Sequence, residues 1–219
     1  MGYILNIETA TKNCSVSLSN NGETIICKEI SGIGYSHAEK LHVFIEEIFI
    51  ETNLNLSSLV AIAVSKGPGS YTGLRIGVST AKGLCFALNI PLISIDSLEI
   101  LSKKVFIIEG FIVPMLDARR MEVYSAIFDK NHNKIRAVEA QIITEKSFEN
   151  INEPIYFIGD CNLKCQTVLN KDNFIFLENI VYPSANEMSK LSFEKFLKND
   201  FEDLAYFEPL YLKEGVQQI

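Results

Sequence analysis

Residues 3–8 read Tyr-Ile-Leu-Asn-Ile-Glu, and residues 111–117 read Phe-Ile-Val-Pro-Met-Leu-Asp. Each is an apolar run that stops at a carboxylate, Glu8 in the first and Asp117 in the second. Each leads into an alternating segment, a turn and a return. Residues 14–19 place Val16 and Leu18 on one face, Asn20-Asn21-Gly22 is a strong hairpin turn, and residues 24–30 come back. Residues 122–128, the turn Lys130-Asn131-His132-Asn133 and residues 134–138 repeat the arrangement. Asp117 follows Glu8 by 109 residues and Asn131 follows Asn21 by 110, about half of a 219-residue chain. The pattern predicts a duplicated unit that opens with a three-stranded meander.

Outside the meanders, periodicity predicts helices over 36–51, 72–88 and 97–104 and strands over 57–65 and 91–95. In the second half it predicts strands over 153–159 and 174–177 and helices over 163–169 and 184–198. A meander continued by β-α-β gives a mixed sheet with helices on its faces. The expectation is an α/β fold of two lobes across a cleft: residues 1–104, carrying the long helices, and residues 105–219, with a tail able to pack back.

The chain is 47% hydrophobic and 21% charged, as globular proteins are, with a net charge of −7 that disfavours strong nucleic-acid binding by this chain alone. No apolar run approaches the roughly 20 residues of a membrane helix. Residues 1–7 meet Glu8 too early for a signal peptide and lack a basic region, so a soluble cytoplasmic chain is expected. Five cysteines, an odd number, suit reduced thiols, and Cys161 and Cys165 have no neighbouring ligand cluster in the sequence that would make them a zinc site.

The glycine-rich stretch Gly67-Pro68-Gly69-Ser70-Tyr71-Thr72, continuing through Gly73 and Gly77, lies between a predicted strand and helix. It has neither the Gly-Lys-Ser/Thr of a P-loop nor dinucleotide spacing. Phosphate contact at the helix N-terminus and close helix packing are both open. Packing is favoured, because the glycines run a full turn into the helix with Ala81 continuing the row. In the first helix, Leu41, Phe44, Ile45, Ile48 and Phe49 form a stripe, while Val43 and Ile50 lie opposite. Apolar residues on two sides suggest either a helix wedged within its lobe or one that binds another chain.

His37 and His42 are five apart with Leu41 between them, whereas metal-binding pairs on a helix are four apart, so no metal site is expected. Glu8 and Asp117 either hold Mg²⁺ or orient a nucleophile, or they cap local turns. Residues 159–161, Gly-Asp-Cys, do not complete a nucleotide site, and no nucleophile elbow is present.

These features resemble the actin-like ATPase superfamily and, within it, the TsaB (YeaZ) family. The matching stretches are residues 4–11 (ILNIETAT), 36–41 (SHAEKL), 65–77 (SKGPGSYTGLRIG), 117–124 (DARRMEVY), 182–185 (YPSA) and 208–213 (EPLYLK). The sequence departs from the commoner family pattern at Glu8, usually Asp, and Met121, usually Gly. The resemblance implies a two-lobed actin-like (ribonuclease-H-like) fold and a non-catalytic role in placing a threonylcarbamoyl group on tRNA adenosine beside the anticodon. It implies TsaD as heterodimer partner supplying ATP and metal sites, TsaE as a further subunit, a homodimer when TsaD is absent, and tRNA met only through the complex. No cofactor of the chain's own is implied. A partner surface is expected from His37, Leu41, Val43, Phe44, Ile45 and Ile48 on the first helix and Gly73, Leu74, Gly77, Ala81 and Leu84 on the second. The alternative class is a small-molecule kinase or ATPase of the same fold.

Overall fold

In the computed structural model, which describes residues 2–32 and 37–212, both leading strands lie at the centre of a five-stranded sheet. The first sheet contains β1 (Tyr3–Glu8), β2 (Asn13–Asn20), β3 (Glu23–Ser31), β4 (Leu59–Gly67) and β5 (Leu92–Asp96), in the order β3-β2-β1-β4-β5. The second contains β6 (Phe111–Asp117), β7 (Glu122–Asp129), β8 (Lys134–Ile142), β9 (Ile155–Ile158) and β10 (Phe174–Phe176), in the order β10-β9-β6-β7-β8. In each, the meander is antiparallel and the last two strands run parallel to the first. The duplication expected from the sequence is therefore present in topology.

The first sheet is buried on both faces, and its residues alternate accordingly. Leu5, Ile7, Val16, Leu18, Ile62 and Val64 face α1 (His37–Thr52) and α2 (Tyr71–Leu88). Ile4, Ala61, Ala63, Ile93 and Ile95 face the other way, toward Met188 and Leu191 of α5 (Met188–Leu197). At the tip of the first hairpin Asn21 and Gly22 have φ of 53° and 82°, the pair of left-handed residues a two-residue hairpin turn requires. The α2 helix starts at an N-cap, Ser70, whose hydroxyl accepts from the Gly73 amide at 3.2 Å. It ends at Asn89 with φ 54°, two residues before Pro91. The helix start expected at Ser36 lies outside the described residues.

The chain divides into one unit of Met1–Ile100 with Pro183–Leu210 and another of Leu101–Tyr182 with Tyr211–Ile219. This corrects the expected boundaries of 1–104 and 105–219. The first sheet needs cover on its second face, and α5 supplies it. The polypeptide then continues over the same unit. The Glu202 amide donates to Leu92 O at 2.9 Å, Phe207 enters the α1/α2 core, and Lys82 Nζ donates to the carbonyls of Ala205 and Phe207 at 3.2 and 3.1 Å. Five further expectations shift. The helix expected over 184–198 is a 3-10 turn (Ala185–Glu187) followed by α5, the helix over 163–169 is the short α4 (Asn162–Gln166), and the return strand expected to end at 138 runs on to Ile142. The helix over 97–104 ends at Ser102 as α3 (Ser97–Ser102), and the strand expected over 57–65 starts two residues later, after a 3-10 turn (Leu56–Ser58).

Candidate functional site

The glycine stretch packs against the end of β1. An added Cβ would meet Ala10 O at 2.2 Å from Gly69, Thr9 O at 2.1 Å from Gly73 and Thr9 Oγ1 at 2.2 Å from Gly77. The Ser70 amide donates to Ala10 O at 2.6 Å, and Thr9 Oγ1 donates to Gly73 O at 2.8 Å. Gly67 and Pro68 are buried, while Ser70, Tyr71 and Thr72 are exposed, with the Arg75 guanidinium 4.1 Å above the Tyr71 ring. Close packing thus accounts for the glycines, and the neighbour is the segment after β1 rather than another helix. The loop does not fit a phosphate cradle, because the space its glycines leave holds Thr9 and Ala10.

The two strand-ending carboxylates cap turns, each within its own unit. Glu8 is fully buried, and its Oε1 accepts from the Ala10 amide at 2.5 Å. Asp117 is exposed; its Oδ1 accepts from the Arg119 amide at 3.0 Å and pairs with Lys164 Nζ, and its own amide donates to Asp160 Oδ1 at 2.8 Å. Lys164 Nζ also donates to the carbonyls of Arg120 and Glu122 at 2.8 and 2.9 Å. These bonds hold a turn in which Arg119 and Arg120 have φ of 74° and 53°, a left-handed backbone that costs a residue with a side chain about 1–2 kcal/mol.

The ring Nε2–H of His37 donates to Thr11 O at 2.6 Å, and Leu41 is buried in the core. These residues do not fit a helix metal site. Burial pushes the thiols of Cys14 and Cys27 up to about 11, with nearby carboxylates adding to the shift, and that of Cys85 to about 12, so none of the three is a thiolate at neutral pH. Cys161 and Cys165 are buried in the second core; the hydrogen bond between them, then burial, pushes the Cys161 thiol up as well.

The expected partner surface needs correction. Leu41, Ile45 and Ile48 of α1 and Gly73, Leu74, Gly77 and Ala81 of α2 are buried against the unit's own sheet and the Thr9 segment. His37, Phe44 and Leu84 are half-buried, and Val43 alone of the eleven is exposed. The most regular apolar stripe of a sheet-covering helix is the stripe the sheet takes. What α1 and α2 present outward lies between those positions: Val43 and Ile50 on α1, and Arg75, Ser79, Gly83 and Phe86 on α2. Phe86 is 81% exposed, Ile50 is 70% exposed, and a Cβ at Gly83 would meet nothing within 4 Å. Phe86 and Gly83 could have been found in the sequence as the residues left over once the core stripe of α2 is removed.

Comparison with known proteins decides the family. Residues 31–211 match the family model TsaD: tRNA N6-adenosine threonylcarbamoyltransferase. The tRNA threonylcarbamoyladenosine biosynthesis protein TsaB of Bacillus subtilis is 30% identical over 88% of this chain and 87% of its own. The chain belongs to the TsaB (YeaZ) family. TsaB of Escherichia coli is 26% identical over 97% of this chain and 95% of its own. The Bacillus subtilis tRNA N6-adenosine threonylcarbamoyltransferase matches over only 42% of this chain and 31% of its own, at 35% identity. YeaZ from Pseudomonas aeruginosa has the same fold, with a TM-score of 0.85 at 22% identity over 97% of this chain and 100% of that one. The two mixed sheets flanked by helices are the α/β actin-like ATPase fold that a TsaB-family chain is expected to have. Among the described residues no helix is long and apolar enough to cross a membrane.

Proposed function

We propose that this chain serves the biosynthesis of tRNA N6-threonylcarbamoyladenosine as a non-catalytic subunit that binds and activates TsaD. TsaD supplies the ATP and metal sites, TsaE joins the complex, and two copies of this chain pair when TsaD is absent. The observation that carries the proposal is full-length similarity to TsaB proteins, together with apolar side chains on the outer faces of the two long helices. Val43, Ile50 and Phe86 are exposed there, and Gly83 leaves room for a facing helix. Large exposed aromatic and aliphatic side chains beside small ones suit a helix-to-helix interface.

A non-catalytic role is supported by the engagement of the candidate groups inside the fold. Glu8 and His37 bond to the β1–β2 connection, and the glycine loop is filled by Thr9 and Ala10. The same packing disfavours a kinase or ATPase. The test is co-purification with TsaD from the same organism, followed by native mass measurement and a threonylcarbamoylation assay. The expected result is a heterodimer that modifies tRNA while this chain alone does not. A TsaD that is fully active without this chain, or that fails to associate with it, would overturn the proposal.

A further inference from the structure

The chain has four arginines, and two of them engage the protein itself. Arg75 stacks on Tyr71, and Arg136 donates to Ser125 and Gln141 and pairs with Glu139. Arg119 and Arg120 differ from these. Both are exposed, and among the described residues no hydrogen bond or ion pair engages either guanidinium. Both hold the left-handed backbone that Asn-Gly adopts without strain, as Asn21-Gly22 does in the first hairpin. The turn beneath them is braced from every side. Ala118 N donates to Glu122 O at 3.1 Å, Glu122 N donates to Arg119 O at 3.2 Å, and the Lys164 ammonium holds two of its carbonyls. The acids of the turn are occupied from below, Asp117 by Lys164 and Asp160 by the Asp117 amide. A rigid turn thus presents two unengaged guanidiniums that cost the fold strain and return no internal contact. Such a local violation marks a site used from outside.

A guanidinium is a planar, weakly hydrated fork that matches the two oxygens of a phosphate. We propose that Arg119 and Arg120 contact the phosphodiester backbone of the tRNA while this chain is in its complex with TsaD, a role that rests on the function proposed above. The net charge of −7 opposes RNA elsewhere on the chain, so two contacts hold no RNA unaided and act only when the partner brings it close.

The test uses the complex of the full chain with TsaD and measures tRNA affinity against salt, for the natural chain and for the double variant Arg119→Ala with Arg120→Ala. Alanine keeps the same backbone demand, so folding is matched. The expected result is an intact complex whose plot of log affinity against log salt is shallower by about 1.4–1.8, two contacts at roughly 0.7–0.9 each. The double variant Arg119→Lys with Arg120→Lys should keep the slope. Unchanged slope and affinity in an intact Ala variant overturn the inference. Loss of the complex in the Ala variant also overturns it, assigning the arginines to carboxylates of the partner protein. Saturation of the turn's amide signals by millimolar inorganic phosphate in the isolated chain, with no change in slope, assigns the site to a free anion and overturns it as well. If the natural chain fails to co-purify with TsaD before any tRNA is added, the proposed function itself has failed, a result distinct from each of these.

Discussion

In the first unit, helices of 16 and 18 residues cover one face of the sheet; in the second, the corresponding connections are residues 143–154, which form turns, and the five-residue α4. The strand order is the same in both. The second unit covers its sheet with side chains from these connections instead, Ile143, Phe148, Ile151, Cys165 and Leu169, packed on the aromatic residues of β9 and β10. Phe157 stacks on Phe176 at 4.8 Å and meets Phe148 and Phe174 edge-on, each at 5.3 Å. A phenylalanine buries about 150–250 Å², so large aromatics on the strands leave less of the face for the turns and the short α4 to cover. A sheet face needs apolar cover, and it does not need helices. The long helices of the first unit therefore exceed what covering requires, and their outer faces are where the two units differ in what they offer a partner.

Four substitutions break or sharpen this contrast. Phe157→Ala removes the centre of the aromatic cluster and should cost about 3–5 kcal/mol. Hydrogen exchange should show the loss in β6, β9 and β10, while the amides of α1 and α2 keep their protection. Equal loss across both units would mean that the aromatic core is not a local one. Gly77→Leu comes next. Its first side-chain carbon already collides with Thr9 Oγ1, so it should destabilise the first unit by about 1–3 kcal/mol in urea unfolding and leave partner binding proportional to the folded fraction. A stable Gly77→Leu protein that loses TsaD would return that glycine to the interface.

How far the sequence can be read is clear from these two positions. The meanders, the Asn21-Gly22 turn and the two long helices are legible, because alternation, turn chemistry and 3.6-residue periodicity are local signals. Gly77 was legible as a point of close approach, but its neighbour was not. A missing side chain reports that something comes near and says nothing of whether it is a facing helix or Thr9, sixty-eight residues earlier. The return of α5 to the first sheet was illegible for the same reason. Its apolar stripe is visible, whereas the sheet that accepts it is decided by which face still lacks cover.

Two smaller effects bear on the outer faces. Phe86→Asp alters an exposed side chain, so thermal stability should be nearly unchanged while affinity for TsaD falls about tenfold to a hundredfold, or roughly 1.4–2.8 kcal/mol, in titration calorimetry. Unaltered affinity would remove the outer face of α2 from the interface. Gly83→Ala, in open space inside α2, should raise stability by up to about 1 kcal/mol through helix propensity alone. A fall in its melting temperature would mean that the space above Gly83 is not open.

The first unit is discontinuous, and this sets an order on the ribosome. Residues 4, 61, 63, 93 and 95 form a finished apolar face whose cover, Met188 and Leu191, has yet to be synthesised when β5 emerges. At about 5–20 residues per second, roughly 5–20 seconds separate the two. During that interval residues 101–182, which carry all five strands of the second sheet, can form that sheet first. The sheet that begins the chain is the last to be covered, and until α5 arrives its bare face is apolar surface open to aggregation.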